Sequence, residues 1–239
     1  MNKERPILFN TEMVKAILAG KKTMTRRAIK SIGNEMHYTQ LLGDWALSGS
    51  PELKDDVLIW ELQTDVDDSG WFETKCPYGQ VGDILWVRET WAIHDLMLKP
   101  RKLSTSNQEW FYKKKFEPEM APHVKYLADY SKGAWPGAWR PSIHMPRIAA
   151  RLFLKITDIR VERLQDITET DAKSEGIRAF TKDGELYKYS HTDDFVWSEG
   201  VRTAKEAFQS LWDGIYSKNG LGWDINPWLW VVEFEVITA

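Results

Sequence analysis

The sequence predicts an α+β fold, a small mixed β-barrel with helices packed on its outside. Three observations predict it. Strand-like stretches recur at residues 6–9, 84–91, 152–161 and 228–237. Helical spacing is confined to shorter stretches near residues 10–20, 168–175 and 201–215. The chain of 239 residues, 43% hydrophobic and 28% charged, buries roughly 70–75% of its unfolded surface on folding, so one core suffices without staples.

The elements follow in order. Pro6-Ile7-Leu8-Phe9 is a short opening strand. Asn10 or Thr11 caps a helix whose apolar face is Met13, Val14, Ile17 and Leu18, and Gly20 stands where a C-terminal glycine belongs. A strand begins near Lys22, with Thr23 and Thr25 favouring it. Residues 31–80 are acidic, aromatic and weakly periodic and are expected to be an insertion with little regular structure. A glycine turn at 79–83 precedes a strong strand at 84–91. Residues 94–145 are a second insertion with strand-like pieces at 110–112 and 124–126. A long strand follows at 152–161. Thr168 caps a short helix with Glu169 and Asp171 in its first turn and Gly176 as terminator. Residues 178–200 read as a loop, and Val201, Ala204, Phe208, Leu211, Trp212 and Ile215 as a helical stripe. The closing strand alternates Trp230, Val232, Phe234 and Val236 with Val231, Glu233 and Glu235, which predicts one buried face. Nothing forces a boundary, so residues 1–239 are expected to form a single domain with insertions at about 31–80, 94–145 and 178–200.

Composition excludes several function classes. The net charge of −3 excludes coating of nucleic acid by a polycation, though not a local basic site. Residues 1–30 carry eight bases against two acids, residues 31–75 two against ten, and residues 99–115 six against one. Such asymmetry marks either an anionic-ligand face or a solvated surface with partners elsewhere. Cys76 is the one cysteine, which excludes an internal disulfide and a multi-cysteine zinc site. His37, His94, His123, His144 and His191 are scattered without metal-ligand spacing. The chain has no P-loop, no G-x-G-x-x-G and no G-x-S-x-G. No metal and no cofactor is therefore expected. The first residues lack a signal peptide's apolar stretch and no run approaches ~18 apolar residues, so the expectation is a cytoplasmic protein without a membrane span.

Candidate chemistry gathers at Gly20-Lys21-Lys22-Thr23-Met24-Thr25-Arg26-Arg27. On a strand, Lys22, Met24 and Arg26 share one face and Thr23, Thr25 and Arg27 the other, with the glycine turn leaving Lys22 free to swing round. A lysine near a threonine supplies a base beside a hydroxyl nucleophile once burial or neighbouring cations lower its pKa. Arg26 and Arg27 supply such cations and hold phosphate or carbonyl oxygens. The same spacing also fits a solvated basic strand. Glu175, in the last turn of its helix, opposes the macrodipole at ~0.3–1 kcal/mol, which marks either a functional demand or an exposed glutamate. Of thirteen tryptophans, Trp86, Trp91, Trp228 and Trp230 lie on expected strands and serve core packing. Trp45, Trp71, Trp135 and Trp139 lie in loop-like segments and are candidates for stacking on a base.

The 20–27 cluster resembles the signature of the ASCH domain, G-x-K-x-x-[E or T]-x-R, within the PUA-like superfamily of small β-barrels flanked by helices. Residues 6–9, 82–88, 164–177 and 228–234 are similar to further segments of that family. Cys76-Pro77-Tyr78-Gly79-Gln80 with Pro141-Ser142-Ile143-His144-Met145-Pro146-Arg147 is similar to a longer subgroup seen in phages and prophages. The resemblance implies binding of RNA. In the N4-acetylcytidine amidohydrolase branch it implies catalysis by a Lys, a Thr and a Glu, which fall on Lys22, Thr25 and Glu175. Gly20, Lys21, Arg26 and Arg27 would bind substrate. Many ASCH domains carry Glu where this chain has Thr25, and the chain is about twice the length of the compact branch. The expected function is binding of RNA or a modified nucleoside, with amide hydrolysis as its most concrete form. The alternatives are a non-catalytic RNA-binding module, a metal-independent ribonuclease, or a reused phage accessory fold.

Overall fold

The computed structural model describes residues 2–29, 46–54, 57–63, 70–93, 118–131, 134, 138–182, 184, 186–192, 194 and 196–237. Its elements are β1 (Glu4–Leu8), α1 (Thr11–Leu18), β2 (Met24–Ala28), β3 (Ala46–Lys54), β4 (Val57–Gln63), β5 (Gly70–Lys75), β6 (Ile84–Arg88), β7 (Trp91–Ile93), β8 (Val124–Tyr126), β9 (Phe153–Arg163), α2 (Glu169–Ser174), β10 (Arg178–Lys182), β11 (Leu186–Ser190), α3 (Ala204–Tyr216) and β12 (Trp228–Ile237). The architecture is mixed α+β, a mostly sheet core with few helices.

Five strands form the central sheet in the order β1-β6-β9-β12-β2. β1 and β6 run parallel, and the other pairs are antiparallel. No ladder joins the edge strands β1 and β2 among the described residues. A side chain links them instead, as the Arg27 guanidinium donates to the Leu8 carbonyl at 2.6 Å.

The sheet is covered on both sides. On one face, Val14 and Ile17 of α1 pack with Ile7, Leu85, Leu154, Trp230 and Val232. On the other, Leu229 and Ala28 pack with Ala172 of α2 and Phe208 and Trp212 of α3. This double cover corrects the reading of β12 as buried on one face, since Leu229, Trp230, Val231 and Val232 are all buried. Alternation fails there because neighbouring residues meet two different apolar layers, each burial contributing about 1.5–3 kcal/mol.

All three expected insertions contain regular structure. β3, β4 and β5 form an antiparallel three-stranded sheet inside residues 31–80. The expected loop at 178–200 contains the hairpin β10–β11. The piece at 124–126 is a strand paired with β7, and the piece at 110–112 lies outside the described residues. Among those described, no helix is long and apolar enough to cross a membrane.

Candidate functional site

Two helix ends build the site. Asn10 caps α1, its side chain accepting the Met13 N–H at 2.8 Å. At the far end Gly20 has φ +67°, its N–H bonds to the Ile17 carbonyl, and the Lys21 N–H bonds to the Ala16 carbonyl. That is a Schellman ending, in which left-handed backbone suits glycine. It turns the chain so that Lys22 and Thr23 lie along the end of α2. There Lys22 forms an isolated antiparallel bridge with Glu175, and the Thr23 N–H donates to the Ser174 carbonyl at 2.9 Å. α2 itself starts from a capping box between Thr168 and Asp171, and Gly176 at φ +99° carries the chain away from it.

Glu175, which the sequence marks as a charge opposing its helix, is 4% exposed and receives Lys22. The Lys22 Nζ, itself buried, donates to Glu175 Oε2 at 2.6 Å and to the Glu175 carbonyl at 2.8 Å. One ammonium thus neutralises the carboxylate and satisfies a carbonyl at the negative end of α2. Burial lowers the Lys22 pKa below the ordinary lysine value, opposed by Glu175 and reinforced by Arg27 and Arg26. The ring of Phe9 lies 5.7 Å from Lys22 Nζ and 5.2 Å from the Arg27 guanidinium.

Arg26 is spent on carboxylates. Its guanidinium meets Glu162 at 2.8 Å, Asp171 at 3.1 Å and Glu175 Oε1 at 3.6 Å. Arg160 extends this charge network to Asp158, Glu162 and Glu233. Glu175 Oε1 and Arg26 Nε are buried and make no hydrogen bond among the described residues.

Thr25 stands opposite Val232 in the β2–β12 ladder and is 1% exposed. Together with Glu175, Arg26, Arg27 and the Phe208, Trp212 and Tyr216 side of α3, it lines a cavity of about 20 Å³. That space holds about one water molecule. No hydrogen bond joins Thr25 Oγ1 to Lys22 or Glu175 among the described residues. Gly20 and Lys21 are exposed at the turn. The structure therefore joins Lys22 to Glu175 directly and sets Thr25 on a common wall with Glu175.

A larger cavity of about 360 Å³ opens at the other end of β2. Ala28, Ile29, Thr74, Lys75, Pro77, Tyr78 and Trp230 line it. Burial raises the Tyr78 pKa, and the Arg27 charge acts against that rise. Sequence reasoning missed this cavity, because its walls come from β2, β12, the end of β5 and the segment that follows it. It missed the carboxylates around Arg26 as well, although Asp158, Arg160 and Glu162 at alternate positions of one strand were the signal. Of the candidate stacking tryptophans, Trp139 packs edge-on against Tyr130 at 5.6 Å, Trp71 lies on β5, and Trp45 and Trp135 lie outside the described residues. Among those described, no cluster of His, Cys, Asp and Glu suits a metal ion.

Chemically, the site offers a desolvated amine coupled to a carboxylate, a buried hydroxyl and two guanidinium groups. No family model, curated protein or solved structure matches the chain.

Proposed function

We propose that this chain binds RNA or a modified nucleoside at the Lys22–Arg27 cluster and hydrolyses the amide of an N4-acylated cytidine. The ASCH resemblance of the sequence supports this reading, as does the placement of the central sheet between helices, which we interpret as a PUA-like barrel. The observation that carries it is the buried Lys22 Nζ at 2.6 Å from Glu175, a residue that shares a cavity with Thr25.

In the reaction, Thr25 Oγ1 attacks the acyl carbonyl and Lys22, as the free amine, takes its proton. Arg27 or a backbone N–H near Gly20 stabilises the oxyanion. The Lys22–Glu175 pair returns the proton to N4 as the C–N bond breaks, leaving cytidine and an acyl ester on Thr25. Water then hydrolyses the ester to release the acid. Substrate entry requires the aromatic side of α3 to move, because a cavity of about 20 Å³ takes one water.

The test is incubation of purified protein with N4-acetylcytidine, followed by chromatography. Release of cytidine and acetate, reduced about a hundredfold or more in Thr25→Ala, supports the reading. Substrate left untouched by the wild-type protein overturns it.

The small volume of the cavity, about 20 Å³, favours a second reading, a non-catalytic RNA-binding module. It expects affinity for single-stranded RNA that falls with salt and no hydrolysis. A flat salt dependence excludes phosphate-led binding.

A further inference from the structure

The two cavities lie along one strand. Thr25, Arg26 and Arg27 line the smaller and Ala28 and Ile29 the larger, so their walls are contiguous along the strand. Arg27 sits between them. It lines the smaller cavity, and its charge reaches the phenol of Tyr78 in the larger. Tyr216 has the same double reach, as it lines the smaller cavity and acts on the Tyr78 phenol.

The larger cavity has the chemistry of a heterocycle site. Trp230, Ala28 and Ile29 are buried and make an apolar floor. Tyr78 and Pro77 supply a wall, while Thr74 supplies a hydroxyl and the exposed Lys75 a cation. Its volume of about 360 Å³ falls in the range of about 300–1,000 Å³ that small-molecule sites occupy. An apolar, aromatic floor with a cation at the rim suits a planar ring joined to a phosphate.

We propose that this cavity is a second subsite, which takes the base and phosphate of the nucleotide adjoining the one held at the Lys22–Arg27 cluster. The substrate class is then an oligonucleotide, since a single free nucleoside cannot occupy both sites at once. This inference rests on the nucleic-acid reading above, but it concerns a different set of residues.

The test is calorimetric titration of the whole protein, at low salt, with a pyrimidine trinucleotide and with cytidine. The expected result is that the trinucleotide binds at least tenfold more tightly. Thr74→Phe, which fills the cavity, is expected to remove that advantage and leave the cytidine affinity unchanged. Lys75→Glu, at an exposed position, is expected to weaken the trinucleotide and lower its salt slope by about one. Equal affinities for the two ligands overturn the proposal, and so does a trinucleotide affinity unchanged in both variants. Hydrolysis of free N4-acetylcytidine reads the other site. Turnover of that nucleoside with no trinucleotide advantage would sink the second subsite alone, whereas a trinucleotide advantage without turnover would sink hydrolysis alone.

Discussion

Lys22 Nζ makes two hydrogen bonds to a single residue, to Glu175 Oε2 at 2.6 Å and to the Glu175 carbonyl at 2.8 Å. Both side chains are almost fully withdrawn from solvent, at 0% and 3% exposure. A charge left alone in such a place is costly. Glu175→Gln is therefore expected to destabilise the fold by about 3–5 kcal/mol, or about 6–20 °C in Tm for a chain of this size. The Lys22→Met, Glu175→Gln double variant removes both charges and is expected to lose less than the two single losses combined. Scanning calorimetry of the four proteins checks this, and additive losses would show that the pair is not coupled.

The same burial fixes a direction for pH dependence. The Lys22 pKa is lowered below 10.5, chiefly by desolvation. Between its folded value and 10.5 the unfolded chain holds a proton that the folded chain does not. Stability contributed by this group therefore rises with pH across that window and is lost as pH falls through the folded pKa. Urea unfolding from neutral pH upward is expected to show this rise, with a smaller slope in the Lys22→Met, Glu175→Gln double variant. If the free amine is the base, the rate rises with pH as Lys22 loses its proton, and the midpoint of that rising limb lies below pH 10.5.

Much of this site was legible in the sequence because local rules governed it. Gly20 ends α1, Thr168 starts α2 and Gly176 follows it, all as capping chemistry predicts. Glu175 was conspicuous as a charge at the wrong helix end, and Lys22 supplies the reason. The rest depended on long-range contacts. The five-stranded order places β2 beside β12 and β1 beside β6, and no spacing within either strand encodes that. The β3–β5 sheet was hidden because acidic and aromatic residues mask its alternation. Arg26 looked like an anion-binding group, but three carboxylates from β9, α2 and its cap surround it.

Two glycines with left-handed backbone make a paired test. At Gly20, φ +67°, an added Cβ meets nothing within 4 Å, so Gly20→Ala carries only the conformational cost of about 1–2 kcal/mol. At Gly176, φ +99°, an added Cβ falls 3.0 Å from Ala16 Cβ and 3.4 Å from Lys22 Cβ. Gly176→Ala adds steric displacement of α1 and of the lysine to the backbone cost. Urea denaturation is expected to rank Gly176→Ala as the more damaging, and the reverse order would contradict the packing of Lys22 against this turn.

The role of Thr25 separates chemistry from packing. Its side chain is buried beside Glu175 and Arg27, so Thr25→Val keeps shape and volume while removing the hydroxyl. A hydroxyl that only fills space predicts a stability loss of about 1–3 kcal/mol or less and little change in rate. A nucleophile predicts the opposite pattern: a kcat reduced about a hundredfold or more in Thr25→Val, with KM nearly unchanged. Thr25→Ser restores the hydroxyl and is expected to recover part of kcat, although a lost methyl leaves its oxygen less constrained. Steady-state kinetics on N4-acetylcytidine, paired with thermal melts of each variant, reads both quantities. If valine and serine fall together in kcat and in Tm, Thr25 is a packing residue and acyl transfer must begin elsewhere. If serine recovers rate while valine holds stability without it, the hydroxyl is the attacking group.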